Sequence, residues 1–371
     1  MYIENLKLAN FKNYQDVEVD LCSNINCLVG NNGVGKTNLL DGLYYLSFCK
    51  SFFNPQDAMN IRHGEDFFAI HGRYVGMTGA EQTKISCVVK RGQSKQMKVN
   101  GKVCKTFAEH IGKVPLVMVS PNDQTIILGG SEVRRKFMDG VISQTNREYL
   151  HQLMQYQKGL DQRNKLLKQM AEDRYCDEAM LDLWDAQLAK YGKAIVNTRK
   201  IFLKEFVPLF DEYYNWITTE KDHAEIVYDS QVSDHDYEAM MKAAHSKDLA
   251  MQYTTVGVHK DDLELQLSGY AVKRYGSQGE QKTFVLALKL AQFQYIYNIC
   301  GEKPILLLDD VFDKLDMERV KQLIELVGSD RFGQVMLTDT QPGRVESIFE
   351  AMPELEHKIF EVIDGEVKDE R

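Results

Sequence analysis

The chain has 371 residues, of which 44% are hydrophobic and 27% charged, with a formal net charge of −9. That length exceeds the ~250–300 residues at which a single core stops growing, so two domains are expected, and the ordinary composition excludes bulk disorder. No apolar run approaches the ~20 residues of a membrane span, and the start, Met1-Tyr2-Ile3-Glu4-Asn5, lacks the basic and apolar stretches of a secretory signal.

Seven scattered cysteines contain no Cys-x-x-Cys pair, and the nine histidines form no ligand cluster. They read as reduced thiols in a cytoplasmic protein without a zinc site.

Residues 1–30 alternate apolar and polar positions (Ile3, Leu6, Leu8, then Val17, Val19, Leu21) and close on Asn26-Cys27-Leu28-Val29. This predicts strands leading into a glycine-rich loop, with a helix from Lys36 to about Lys50. Short alternating runs between Phe67 and Val103, with Asn100-Gly101 as a turn, predict an antiparallel sheet. Lys84 to Lys105 holds seven Lys or Arg and no acid, and Arg134-Arg135-Lys136 forms a second basic knot. Each reads first as a solvated face; any DNA surface on this acidic body must be a local patch. Val114 to Val119 reads as a buried strand.

The middle of the chain changes period. Tyr149, Leu153, Tyr156, Leu160 and Leu167 form one heptad stripe; Leu181, Trp184, Leu188, Tyr191, Ile195, Thr198 and Phe202 form another. A polar break at Ala171–Asp177 separates them, which predicts an antiparallel helical hairpin or a helical subdomain with the same pattern. Strand signals return at Leu263–Leu267, followed by a long apolar helix from Phe284 to Cys300. Pro304–Leu308 and Val335–Leu337 read as buried strands. The expected organisation is a head from residues 1–140 and 246–371 interrupted by a helical arm, 141–245.

Three segments carry chemistry. Gly30-Asn31-Asn32-Gly33-Val34-Gly35-Lys36-Thr37 matches the phosphate-binding loop G-x-x-x-x-G-K-[ST], with a strand before it and a helix after. Its glycines let backbone N–H groups turn inward around a phosphate at a helix N-terminus. Lys36 is assigned to the β- and γ-phosphates of ATP, and the Thr37 hydroxyl to Mg²⁺. Ile305–Leu308 delivers Asp309 and Asp310 to a strand end; Asp309 is the expected Mg²⁺ partner and Asp310 the expected general base. Ser277, Gly279 and Gln281 open a second anion-facing helix terminus near Gln281. One nucleotide needs one loop, so this cap is useful if Ser277 closes over a γ-phosphate held by another copy.

The order of these motifs resembles the ABC-type ATPase head of the SMC superfamily. Within it the whole chain is similar to the RecF family. The segments that carry this are Leu8–Tyr14, Val119–Asp123, Arg134–Asp139, Val256–Leu263, Tyr275–Gln281 and Leu308–Asp316. The resemblance implies an α/β fold: a P-loop head with an antiparallel β subdomain and an inserted coiled-coil-like arm. It further implies a slow ATPase that forms ATP-dependent homodimers on DNA at single-strand gaps and duplex junctions. The partners implied are RecR and RecO, helping RecA replace single-strand-binding protein in repair, replication restart and the SOS response. Asp316 would match the family's loop that crosses the dimer interface.

Three places depart from the pattern. Thr338-Asp339-Thr340 stands where transporter ATPases carry a switch histidine, Glu280 stands where the family often has Gln, and Asp310 replaces the usual Glu. The glutamine loop is not placed by the sequence; Gln124 is a candidate for it. His259 reads as a satisfied structural histidine, to which the resemblance adds a role near DNA or the interface. Two other readings remain open here: an SMC-type ATPase subunit of a DNA-end-processing nuclease, disfavoured by the missing zinc-hook cysteines, and a transporter motor, disfavoured by the inserted arm.

Overall fold

The computed structural model describes residues 1–77, 81–173, 175, 177–218, 223–232, 235–311 and 317–369. The chain divides into two units, Met1–Asn122 with Ile296–Arg371, and Asp123–Tyr295. In chain order, β1 (Tyr2–Phe11), β2 (Tyr14–Asp20) and β3 (Ile25–Val29) lead into α1 (Lys36–Phe48). Then come β4 (Phe67–Val75), β5 (Gln82–Lys90), β6 (Gln96–Val99), β7 (Lys102–Val103) and β8 (Leu116–Val119). Next are α2 (Thr125–Leu128), α3 (Ser131–Thr145), α4 (Arg147–Asp173), α5 (Glu178–Ile217), β9 (Ala224–Asp229), α6 (Tyr237–Ala243) and α7 (His245–Met251). β10 (Asp262–Leu267), β11 (Tyr270–Ala271), α8 (Val272–Tyr275) and α9 (Gln278–Cys300) follow. The last elements are β12 (Ile305–Leu308), α10 (Met317–Val327), β13 (Val335–Asp339), α11 (Pro342–Glu350), β14 (His357–Ile363) and β15 (Glu366–Asp369). No helix among the described residues is long and apolar enough to cross a membrane.

The first unit holds two six-stranded sheets. One, in the order β2-β1-β4-β5-β6-β7, is antiparallel, and its strands alternate: Thr83, Ile85, Cys87 and Val89 of β5 are buried while Lys84 and Lys90 face water. The other runs β15-β14-β3-β13-β12-β8, parallel from β14 to β8. Here β3, β13, β12 and β8 are buried at every residue, as continuous apolar runs in a parallel sheet require. Two buried amides stitch this unit together. Asn26 bonds the backbone of Cys22 on both its N–H and its C=O. Gln334 accepts from Ile3 N–H at 2.8 Å and donates to the carbonyls of Ile3 and Cys22, both at 2.7 Å. Polar groups this deep survive only when bonded, and both amides are.

In the second unit the two heptad stripes form α4 and α5. Tyr149, Tyr156, Leu160 and Leu167 are buried on one, and Leu181, Leu188, Ile195 and Phe202 on the other. Asp177 caps α5 by accepting from Met180 N–H, which fixes where the polar break ends. Residues 174 and 176 of that break lie outside the described set. The long helix α9 begins at Gln278, earlier than the apolar pattern alone predicts. Phe284 packs its ring 4.7 Å from that of Phe210.

The stripes also carry buried charge, which the heptad pattern does not reveal. Arg163 of α4 donates to Asp185 of α5 at 2.7 Å and to Asp248 of α7 at 2.6 Å, with all three side chains buried. Arg199 of α5 donates to Asp261 at 2.7 Å, to Asp139 of α3 at 2.9 Å and to the carbonyl of Val258. The basic knot on α3 joins the same system. Arg134 makes a two-pronged pair with Asp262 at 2.7 and 2.8 Å, and Arg135 donates to the Asp261 carbonyl. Neither guanidinium is a solvated face, because the acids that begin β10 lie against α3.

His259 is structural, as read from the sequence. Nε2 lies 3.0 Å from the Thr254 carbonyl and Nδ1 2.8 Å from the Tyr156 hydroxyl. Burial pushes its pKa down to about 4, so near neutrality it is uncharged. A carbonyl can only accept, which puts the ring proton on Nε2.

Replacing Arg199 by Met strands Asp139 and Asp261 without their counter-charge and is expected to cost about 3–5 kcal/mol. Both tryptophans of the chain, Trp184 and Trp216, lie on α5, so urea unfolding followed by tryptophan fluorescence reads this unit directly. A midpoint equal to wild type would remove Arg199 as a structural node.

Candidate functional site

Three neighbouring parallel strands end at one edge. Asp339 of β13 pairs with Val29 of β3, and Leu337 pairs with Leu308 of β12. The loop after β3, the acids after β12 and the threonines closing β13 therefore converge.

The loop is shaped by residues that no other type can replace. Gly30 has φ +151° and Gly35 φ +122°. A Cβ at Gly30 would lie 2.4 Å from the Val362 carbonyl oxygen, and one at Gly35 would lie 2.4 Å from Asn13 Nδ2. The turn between β1 and β2 braces the loop from outside. Asn13 Nδ2 donates to the Val34 carbonyl at 2.9 Å and Oδ1 accepts from Asn38 Nδ2 at 2.8 Å. The Tyr14 hydroxyl donates to the Gly35 carbonyl at 3.0 Å.

Lys36 lies across the loop, donating to the carbonyls of Gly30 at 2.6 Å and Asn31 at 2.8 Å. Burial lowers its pKa, against the opposing pull of Asp310, Asp309 and Asp339. Thr37 Oγ1 donates to Asp309 Oδ1 at 2.8 Å. Asp309 is buried, and that burial raises its carboxyl pKa, while the hydroxyls of Thr37 and Thr338 pull it down. Asp310 follows in the left-handed region at φ +50°, with its N–H held by Thr338 Oγ1 at 2.8 Å.

These groups surround a cavity of about 180 Å³ lined by Asn32, Gly33, Gly35, Lys36, Thr37, Asn38, Asp309, Asp310, Thr338 and Thr340. A larger one of about 760 Å³ shares Thr37 and Asn38 and is walled by Lys12, Phe53, His63 and Arg91. A run of phosphates suits the first: backbone N–H groups at a helix N-terminus, an ammonium, and close approach allowed by glycine. Thr37 hydroxyl and Asp309 carboxylate, 2.8 Å apart, are the hard oxygen donors that Mg²⁺ takes beside phosphates.

Gly30 through Thr37, Asp309 and Asp310 are thus brought together. Ser277, Gly279 and Gln281 belong to the other unit, at the start of α9. There Ser277 and Glu280 form a reciprocal cap: Ser277 Oγ accepts from Glu280 N–H at 3.3 Å, and the Glu280 carboxylate accepts from Ser277 N–H at 2.5 Å. Those bonds hold the Glu280 carboxyl pKa low. A Gln at this position closes the same cap, which gives the departure at Glu280 a local explanation. Ser277, Gln278 and Gly279 are exposed. The Gln281 amide is engaged nearby, donating to the Gly276 carbonyl at 2.9 Å. Asp316 lies outside the described residues.

Of the basic stretch, Lys84, Lys90, Arg91, Lys102 and Lys105 are exposed. Lys95 is not available: it donates to the Cys49 carbonyl at 2.5 Å and pairs with Asp57 at 2.9 Å. Sequence reasoning assigned no role to Asn13, Tyr14 or Asn38. The first two sit in the segment that carries the family resemblance, which was the available signal.

The family model described as RecF/RecN/SMC N terminal domain matches residues 2–356. The DNA replication and repair protein RecF of Flavobacterium johnsoniae is 46% identical over 360 residues, covering 97% of this chain and 99% of that protein. The chain belongs to the RecF family. A second RecF, from Phocaeicola vulgatus, is 45% identical over 372 residues, covering 100% of this chain and 99% of its own. Among solved structures, the recombination mediator protein RecF with ATP, of the RecFOR pathway, superposes with a TM-score of 0.90 at 29% identity, covering 100% of this chain and 98% of that one. The RecF family is part of the SMC/ABC ATPase superfamily. The Smc head domain of Pyrococcus furiosus shares the fold, with a TM-score of 0.58 at 17% identity.

Asn13→Ala deletes the Asn13 bonds to the Val34 carbonyl and to Asn38 while leaving the Tyr14 brace and Lys36, Thr37 and Asp309 in place. It is expected to weaken ATP binding about five- to thirtyfold, the range of one or two lost hydrogen bonds, with the fold intact. Titration with a fluorescent ATP analogue, alongside circular dichroism, checks this; affinity within about twofold of wild type counts against the bracing role.

Proposed function

We propose that this chain is an ATP-driven DNA-binding protein of recombinational repair, replication restart and the SOS response. It acts in the cytoplasm at single-strand gaps and duplex junctions, with RecR and RecO, to help load RecA. The observation that carries the reading is the division of labour between the two units. One holds a full phosphate loop with Thr37 set against Asp309; the other presents an exposed serine-glycine helix terminus. A homodimer uses both, each copy's Ser277 and Gly279 closing on the triphosphate that the other copy holds.

Within one copy, Lys36 offers its ammonium to the β- and γ-phosphates; Thr37 and Asp309 would hold Mg²⁺, which would supply neutralisation of phosphate charge. Asp310 accepts the proton of the attacking water. Aspartate is one methylene shorter than the glutamate common in ABC enzymes, so its reach is limited and turnover is slow. Hydrolysis then resets the dimer. In this reading residues 141–245 form the arm and the rest the head. Non-specific DNA contact falls to the exposed cations of the β5–β7 region, as backbone neutralisation without base readout.

Lys36→Met abolishes ATP-dependent dimers because it removes the cation of the phosphate loop. Ser277→Arg leaves ATP binding intact and blocks dimerisation. Sedimentation with and without ATP measures both; normal ATP-dependent dimer mass in the two variants would falsify the sandwiched nucleotide.

DNA binding by the wild type falls steeply with salt. Replacing Lys84, Lys90 and Lys102 together by Gln reduces the log–log salt slope by about 0.9 for each phosphate that is no longer neutralised. An unchanged slope removes this face from the DNA interface.

A further inference from the structure

The hydroxyl of Thr338 lies within a strand that could have been apolar at this position. Val335, Met336 and Leu337 precede it, and every residue of β13 is buried. Valine has the same shape and a comparable preference for strands, and it would spare the burial of a hydroxyl. The hydroxyl is instead used twice. It donates to Asp309 Oδ1 at 3.1 Å and accepts from Asp310 N–H at 2.8 Å. Both acids of the site are thereby tied to a single atom on an interior strand of the sheet.

We propose that Thr338 is the positioning residue for both carboxylates, aiming Asp309 and holding Asp310 in its left-handed backbone conformation. Asp309 Oδ1 receives two hydroxyl donors, Thr37 and Thr338. Thr37 stands at the first turn of α1, where its oxygen is also assigned to the cation. Thr338 sits on a rigid, fully buried strand and is free of that second task, so it sets the direction of the carboxylate. Asp310 sits at φ +50°, a region that residues with a side chain enter uncommonly and aspartate more readily than most. Its N–H finds its partner in Thr338, so removing that oxygen frees the peptide to relax and moves the carboxylate with it.

The inference rests on the proposed reading of Asp309 and Asp310, and the test separates the two. ATP binding is measured in EDTA and in Mg²⁺, and steady-state hydrolysis in Mg²⁺, for wild type, Thr338→Ser and Thr338→Val. In EDTA all three bind ATP within about twofold of one another, because the loop and Lys36 are untouched; this also shows that the variants are folded. Thr338→Ser keeps the gain in affinity on adding Mg²⁺ and keeps kcat within about threefold. Thr338→Val loses about tenfold of each, the equivalent of one hydrogen bond to a charged acceptor, with KM in Mg²⁺ rising accordingly.

Two outcomes overturn the inference: Thr338→Val behaving as wild type, or Thr338→Ser failing as badly as valine, which would show that the hydroxyl does not account for the effect. Should valine not fold, Thr338→Ala makes the same comparison without the added branch. A wild type that binds no ATP instead sinks the reading of the site as a nucleotide site.

Discussion

The site depends on parallel pairing of three strands that lie far apart in sequence. β3 comes near the start of the chain, and β12 and β13 near its end, yet Val29, Leu308 and Thr338 finish at one edge because their registers are locked by hydrogen bonds. A shift of one residue in any of them would turn each side chain to the opposite face. That would carry Asp309 away from Thr37. Gln334 guards against such slippage from within: its amide bonds the backbone at both Ile3 and Cys22, tying the lead into β13 to the first strand of the other sheet. The chemistry of the site is thus secured by backbone geometry before any functional side chain is considered.

What was legible in the sequence was what is local. The phosphate loop is contiguous, and its glycines have a stated conformational job, so eight residues announce both the turn and the ligand. The two long helices follow from period, since a stripe of apolar residues at threes and fours marks one buried helical face, while the same pattern fits either a hairpin arm or a packed helical subdomain. Ile305–Leu308, a short aliphatic run before two acids, is a weak signal alone and became legible because a complete phosphate loop needs such a partner. Asn13 and Thr338 were not legible, for a physical reason. Each acts through a single hydrogen bond or pair of bonds to a partner distant in sequence, and no periodicity or spacing encodes such a partner. Arg163 and Arg199 failed to register for the opposite reason: they are buried charges on helices read by their apolar residues, and on α5 the buried face runs through Asp185, Gly192 and Arg199, one residue beyond the Trp184, Tyr191 and Thr198 of the predicted stripe. Their carboxylate partners come from other helices and from the turn before β10, which a one-dimensional reading cannot bring to bear.

The buried arginines also say what sort of rigidity the second unit has. Hydrophobic contacts alone tolerate sliding along a helix, because one leucine packs much like another. A guanidinium fixed by carboxylates on separate elements does not, since moving either partner by an ångström or two leaves a charge unpaired in a medium that solvates it poorly. Arg199 binds Asp139 of α3 and Asp261 before β10, and Arg134 binds Asp262. Three elements are therefore held in a single register around α5. The desolvation of each ion offsets much of the attraction, so such nodes are costly to break without being strongly stabilising as intact pairs.

Internal pairing of cations also governs how an acidic protein meets DNA. Its cations are outnumbered by its acids, so the overall field repels a polyanion, and only cations left outside the fold can bring one close. The fold itself has claimed several of the obvious ones. Arg134 and Arg135 serve β10, Lys95 serves the end of α1, and Lys12 is drawn against the buried Asp41 at 2.6 Å. What remains on the antiparallel sheet is concentrated toward β5 and β7, while the opposite edge carries Asp16, Glu18 and Asp20 on β2. Lys7 and Arg73, between the two edges, are already paired with those acids. The sheet is therefore polarised across its strands. On this sheet the attraction for a polyanion lies toward β5–β7, and it acts within about a Debye length, some 8–10 Å at ordinary salt.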